Sequence, residues 1–290
     1  GFRVNLTEHV ALPDISGGAL FQPGDTLSGT LVAGGEPGLH RFTVAGPTRL
    51  TFDSLTNDSG KTWTLLGPNG VEVTGRSFSA SDGTGISGSA VIDLPAGGTY
   101  QLRVSGTAGA YSMRLLDLAA ATPITPGGAL VESRLLPSRA TDMYSFTGVA
   151  GETLYLDTQT ALSSGSFRLI DPFGRLVVGP VGFADRELAL PVDGTYVLLI
   201  EGRVANTAAD DDYSFILNRP RDPAPLDLTL GARIDGVLAG AGDVQRYRFQ
   251  LSSERLLAFG PRDRLFGVAA RCRRRLSGYA PAAYARGRGI

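Results

Sequence analysis

The chain has 290 residues, of which 42% are hydrophobic and 19% are charged, and its net charge is −1. This composition is typical of folded domains with buried cores and not of a disordered chain. A net charge near zero provides no overall attraction to nucleic acid or to anionic lipid, so we expect no nucleic-acid partner. No apolar run approaches the length of about 18–20 residues that a membrane span requires.

A motif that ends in phenylalanine recurs three times along the chain. The copies end at Phe42, Phe146 and Phe249. Their spacing of about 100 residues far exceeds a solenoid unit, so each copy is expected to fold as a domain and to survive unfolding of its neighbour. We divide the chain into residues 1–16, the last strand of a preceding repeat with a linker; residues 17–121 and 122–222, two complete repeats; residues 223–259, the start of a third; and residues 260–290, an aberrant tail.

Within each complete copy, apolar residues alternate with polar ones in short runs. Tyr100, Leu102 and Val104 show this alternation in the first copy, and Tyr196 and Leu198 show it in the second. Alternation of this kind, between turns rich in Gly, Pro, Asn and Asp, indicates half-buried antiparallel strands, and we count about eight of them per copy. The sequence therefore predicts an all-β chain of tandem antiparallel β-sandwich domains.

The sequence offers little for catalysis. Its two histidines are His9 and His40, and His40 alternates with Phe42 along one strand, which favours a packed histidine over a catalytic base. A Gly-x-Ser-x-Gly nucleophile elbow is not found. Asp53 and Asp157 recur at equivalent positions of the two copies, which suits a structural role better than a glycosidase pair. We therefore expect that the chain is not an enzyme.

Two kinds of candidate site lie in the second copy. Tyr155 points away from its apolar neighbours, and Phe173 lies at a turn apex, so both are candidate contact residues for a ligand or a neighbouring domain. Asp210, Asp211 and Asp212 supply the oxygen ligands that calcium prefers in loops. They match no EF-hand pattern, and a solvated acidic loop is the alternative. No other cofactor is expected.

The tail differs from the rest of the chain. Residues 260–290 are rich in arginine, lack strand-like alternation and contain the single cysteine, Cys272. One interpretation is a basic tail that binds nucleic acid or a membrane. We favour a shift of reading frame, because moving the frame by one base can restore a segment similar to the one around Trp63. On that interpretation, Cys272 and the tail arginines have no evolved role.

The ordered blocks of each copy resemble the bacterial pre-peptidase C-terminal domain. In the second copy these blocks are Asp142-Met143-Tyr144-Ser145-Phe146, Asp171-Pro172-Phe173-Gly174, Leu190-Pro191-Val192-Asp193-Gly194-Thr195-Tyr196 and Asp212-Tyr213-Ser214-Phe215. The resemblance covers most of residues 17–259 and implies a jelly-roll-like sandwich, export from the cell and a non-catalytic role. The first copy departs from the pattern, since His40 and its neighbours stand where the other copies carry Asp142 and Asp243.

This resemblance implies a function for the whole chain. We expect spacer and adhesion repeats of a large secreted or cell-surface bacterial protein, located outside the cell or on its surface. The expected partners are neighbouring repeats of the same chain and an extracellular matrix, polysaccharide or cell-surface ligand. The alternative is a set of accessory domains that target a secreted peptidase to its substrate.

Overall fold

A computed structural model describes residues 12–253, 271–272 and 283–286. Residues 17–121 form a β-sandwich, sandwich 1, in which sheet A has the strand order β1-β3-β8-β5-β6 and sheet B the order β2-β9-β4-β7. Its strands are β1 (Ala19–Leu20), β2 (Leu27–Leu31), β3 (Gly38–Val44), β4 (Thr48–Ser54), β5 (Lys61–Gly67), β6 (Gly70–Ser77), β7 (Val91–Leu94), β8 (Gly98–Gly106) and β9 (Gly109–Asp117). Eight principal strands, β2 to β9, divided in this way between two sheets define a jelly roll.

Residues 122–222 form sandwich 2, which repeats this topology. Its strands are β10 (Thr122–Pro123), β11 (Val131–Leu135), β12 (Thr141–Gly148), β13 (Thr153–Thr160), β14 (Gly165–Ile170), β15 (Leu176–Gly182), β16 (Arg186–Ala189), β17 (Gly194–Gly202) and β18 (Asp211–Asn218). Sheet C has the order β10-β12-β17-β14-β15, and sheet D the order β11-β18-β13-β16. The prediction of an all-β, jelly-roll-like sandwich fold is therefore confirmed.

Each sandwich has a core of aromatic and branched side chains between its two sheets. Trp63 stacks on Phe52 with ring centroids 4.4 Å apart. Tyr100 stacks on Phe42, and Tyr196 stacks on Phe146 at the equivalent place in sandwich 2. Burial of one such side chain stabilises a fold by roughly 1.5–3 kcal/mol. The alternation in the sequence thus placed these side chains on the inner faces correctly.

The linkers have a structure that the sequence did not reveal. Each linker contains a two-residue strand that pairs in parallel with the strand carrying the recurrent phenylalanine motif. In this way β1 pairs with β3, and β10 pairs with β12. In the third copy the linker strand is β19 (Leu226–Asp227), which pairs with β20 (Val244–Arg248). Three equivalent pairings show that all three copies begin in the same way.

The third copy departs from the predicted core in one respect. Phe249 lies just after β20 and is half-buried, whereas its equivalents Phe42 and Phe146 are buried in strands. Two tail strands, β21 (Arg271–Cys272) and β22 (Ala283–Arg286), complete sheet E in the order β19-β20-β22-β21. The other residues of the tail, and the predicted strand in residues 1–11, lie outside the described residues.

Candidate functional site

The two sandwiches meet at a buried joint. Its apolar part comprises the outer face of sheet C, the linker that follows β9 and one strand of sheet B. The contributing residues are Val91, Leu118, Ala121, Met143, Ile170, Leu176, Val197 and Leu199. Sheet C is therefore covered on both faces, because alternate residues of its strands pack into the core of sandwich 2.

Arg168 is the central polar residue of the joint. It extends from the outer face of β14 and is fully buried. Its Nε donates to both carboxylate oxygens of Glu201 on β17, each at 2.9 Å. Its terminal nitrogens donate to the backbone carbonyls of Gly83, Ile86 and Gly88 in sandwich 1. One guanidinium of sandwich 2 thus binds a whole loop of sandwich 1.

That loop, residues 81–90, also carries a buried carboxyl group. The carboxylate of Asp82 accepts a hydrogen bond from the backbone N–H of Ser54 at the end of β4. Next to it on β4, Asp53 pairs with Arg114 of β9 at 2.5 Å. Arg114 also donates to the carbonyl of Thr141 in sandwich 2 at 3.0 Å. Asp53 thus holds Arg114, which in turn contacts sandwich 2.

Burial sets the protonation behaviour of these carboxyl groups. Loss of solvation raises the pKa of Asp53 and of Glu201, although the facing guanidinium of Arg114 or Arg168 opposes the shift in each case. The pKa of Asp82 lies well above its ordinary value, first because it is buried and then because Asp53 and Glu201 are close. Both causes favour the protonated form of Asp82.

Polar contacts continue at the rim of the joint, around the predicted contact residue Phe173. Arg49 of β4 donates to the carbonyl of Pro172 at 2.7 Å, and the hydroxyl of Ser89 donates to the carbonyl of Gly174 at 2.9 Å. Phe173 itself is 58% exposed, and the guanidinium of Arg175 lies 4.9 Å from its ring centroid. The turn thus docks through its backbone and leaves its aromatic side chain facing solvent.

Two shallow, open cavities of about 370 and 460 Å³ lie on sheet B beside the joint and share Ser112 as a lining residue. We refer to them together as the groove. Threonine and serine hydroxyls line much of it, and Leu136 and Arg139 of sandwich 2 contribute to the first cavity. Hydroxyl groups beside a guanidinium can form hydrogen bonds with a polar ligand.

The structure assigns other partners to the predicted calcium ligands. Arg134 forms ion pairs with Asp210 at 3.0 Å and with Asp212 at 2.6 Å. Asp211 accepts hydrogen bonds from the backbone N–H and the hydroxyl of Ser163. No group of three His, Cys, Asp or Glu side chains is placed to hold a metal anywhere in residues 12–253. The predicted calcium site therefore has no support in the structure.

Tyr155, the second predicted contact residue, faces the third copy. Its hydroxyl donates to Asp185 at 3.4 Å. The backbone of Gly242 approaches its ring so closely that a Cβ added there would lie 2.8 Å from the Tyr155 side chain. Gly242 also has a φ of +84°, which favours glycine. Tyr155 thus borders the place where the third copy begins.

His40 is a packed residue, as its position in the strand predicted. It is buried, and its Nε2 lies 2.8 Å from the hydroxyl of Tyr111. In sandwich 2 the equivalent hydroxyl, that of Tyr213, donates to Asp142 at 2.6 Å and lies 2.6 Å from the hydroxyl of Tyr144. By strand register, His40 takes the position of Tyr144 and Gly38 that of Asp142, and a Cβ added at Gly38 would lie 2.1 Å from the hydroxyl of Tyr111.

Sequence reasoning missed Arg168, Glu201 and Asp82. The register of the sheets aligns Arg168 with Thr64 of sandwich 1, and Glu201 with Ser105. Sandwich 2 thus has charged residues at two outward strand positions where sandwich 1 has uncharged ones, and the other residues of these strands are largely apolar. A comparison of the copies for such replacements is the signal that could have revealed them.

Comparison with known proteins adds little to this geometry. No family model and no curated protein matches the chain. Among solved structures, the Aeromonas hydrophila periplasmic inhibitor of g-type lysozyme, PliG, is 18% identical over 33% of this chain and 96% of its own, with a TM-score of 0.25. The CUB1-EGF-CUB2 domain of human MASP-1/3 is 8% identical over 66% of this chain and 99% of its own, with a TM-score of 0.23.

Within the described residues, the structure contains no helix long and apolar enough to cross a membrane. Its helical segments there are three-residue 3₁₀ turns, at Phe78–Ala80, Gly83–Gly85 and Leu118–Ala120. The joint and the groove beside it together form the candidate functional site, because they bring polar groups of both sandwiches together.

Proposed function

We propose that this chain is a non-catalytic spacer segment of a large secreted or cell-surface bacterial protein, and that it also contributes to adhesion. The joint is the observation that carries the proposal. Domains in one chain move relative to each other by default unless their interface is large and apolar. Here an apolar cluster and the buried Arg168 hold the two sandwiches together. A fixed joint is what a spacer needs in order to keep its length.

Small-angle X-ray scattering of the full chain tests the spacer role. We expect the wild type to give a narrow distribution of interatomic distances that agrees with the docked arrangement of the two sandwiches. Arg168→Ala should broaden that distribution, whereas Arg134→Ala, which removes two exposed ion pairs, should leave it unchanged. A distribution equally broad in all three proteins would rule out a rigid spacer.

The groove supports the second part of the proposal. Its hydroxyl groups and Arg139 fit a polar ligand such as a polysaccharide or a matrix protein at the cell surface. Pull-down on collagen, chitin and cell walls tests this role, with Arg139→Glu as the groove variant and Arg186→Glu on sandwich 2 as the control. We expect the wild type and Arg186→Glu to be retained on at least one of these materials and Arg139→Glu not to be retained. Lack of retention on all three materials would leave the spacer role alone.

The same groove also favours the alternative function, that of accessory domains targeting a secreted peptidase to an insoluble substrate. The gene distinguishes the two functions. A peptidase domain encoded in the same reading frame would favour the accessory role, and further copies of the sandwich would favour the array. Both functions place the protein outside the cell.

A further inference from the structure

Charges at the joint do not balance. Three carboxyl groups, those of Asp53, Asp82 and Glu201, are buried there, with exposed fractions of 0–2%. Two guanidinium groups face them, Arg114 from β9 and Arg168 from β14. If every group were ionised, the joint would enclose one uncompensated negative charge, which a medium of low polarity strongly disfavours. One proton removes this excess.

The contacts identify the group that lacks a cation. Asp53 is paired with Arg114, and Glu201 is paired with Arg168. Asp82 forms no ion pair within the described residues, and Arg168 acts on it only through space. Furthermore, Oδ1 of Asp82 and Oδ1 of Asp53 are both buried without a hydrogen-bond partner. Asp82 therefore has a free oxygen that can hold a proton.

Sandwich 2 contains the same aspartate without the burial. Asp185 accepts a hydrogen bond from the backbone N–H of Thr158 at 2.9 Å, as Asp82 does from Ser54. Thr158 follows Asp157 along β13, just as Ser54 follows Asp53 along β4. Asp185 is exposed, however, whereas Asp82 is buried in the loop that Arg168 of sandwich 2 binds. The carboxyl position is thus part of the fold, and the copy whose loop faces the joint is the one in which it is buried.

We propose that docking of sandwich 2 onto sandwich 1 takes up one proton, which Asp82 holds, so that the joint is tightest in acid and loosens as the pH rises. The undocked carboxyl, exposed as Asp185 is, has an ordinary affinity for protons. In the docked arrangement, burial first and then the nearby charges of Asp53 and Glu201 hold the pKa of Asp82 well above its usual value of 3.8. The equilibrium constant for docking is therefore largest below pH 3.8. Between pH 3.8 and the raised pKa of Asp82 it falls by about tenfold per pH unit.

The test uses the full chain and two matched variants, Asp82→Asn and Asp185→Asn. Asparagine has the shape of a protonated aspartic acid, so Asp82→Asn should dock without taking up a proton. The fluorescence of Trp63 reports on the segment that contains Asp82, because Nε1 of Trp63 donates to the hydroxyl of Ser81 at 2.7 Å. Hydrogen exchange of the amides in residues 83–88 measures undocking directly, after correction for the intrinsic pH dependence of exchange.

The slope of the logarithm of the docking equilibrium constant against pH gives the number of protons taken up on docking. We expect this number to be smaller by one in Asp82→Asn and to be unchanged in Asp185→Asn. Infrared spectroscopy of the wild type and of Asp82→Asn gives a second measurement. A carboxylic acid band should persist above the pH at which exposed carboxyl groups have ionised, and it should be absent from Asp82→Asn. Equal slopes in the wild type and Asp82→Asn would overturn the proposal. The absence of a carboxylic acid band in the wild type would do so as well.

Discussion

Arg168→Ala is the substitution that should weaken the joint most. The alanine leaves the carboxylate of Glu201 buried without its cation and removes the donor from the carbonyls of Gly83, Ile86 and Gly88. Removal of one partner from a buried ion pair typically costs about 3–5 kcal/mol. We expect a loss of this size in the free energy that couples the two sandwiches.

Urea unfolding with two probes measures this coupling. The fluorescence of Trp63, the single tryptophan, follows sandwich 1, whereas far-ultraviolet circular dichroism follows both sandwiches. In the wild type we expect the two transitions to coincide, in contrast to the independent copies that the sequence predicted. In Arg168→Ala the transitions should separate, because the sandwiches no longer stabilise each other.

Two further variants control for the mechanism. Arg134→Ala removes two exposed ion pairs and should cost less than about 1 kcal/mol. The double variant Arg168→Met, Glu201→Leu removes the buried pair together and should recover part of the loss, since no lone charge stays buried. The reasoning is refuted if Arg168→Ala and Arg134→Ala unfold at the same urea concentration with coincident transitions.

Three other predictions concern single residues. Trp63→Ala should destabilise sandwich 1 by about 3–5 kcal/mol, because it opens a cavity against Phe52; circular dichroism melting would disprove this by showing no shift. Burial lowers the pKa of His40, so its contribution to the stability of sandwich 1 is present above pH 6.5 and is lost as the pH falls through the lowered pKa. His40→Gln should abolish that part of the pH dependence in urea titrations, and an unaltered profile would contradict it. Phe173→Ser should change stability by less than about 0.5 kcal/mol, since the ring is exposed; a larger shift in the melting temperature would mean that the ring packs against the protein.

The sequence specified most of each sandwich. Alternation at Tyr100 and Leu102, and again at Tyr196 and Leu198, identified the inner faces because successive side chains of a strand point to opposite sides. The turns between the strands and the recurrence of Phe42 as Phe146 gave the rest of the pattern. These are local properties, so they could be deduced without knowledge of which strands pair.

Only the tertiary structure decided what covers the outer faces. Alternation sorts residues into two faces but does not tell whether the outer face meets water or another domain. The continuous apolar run Val197–Ile200 of β17 was a hint, since strands buried on both faces lose their alternation. The burial of Asp82, in contrast to the exposure of Asp185, has no local signature in the sequence. The sequence by itself thus determined the sandwiches, and the packing of one on the other determined the joint and its charges.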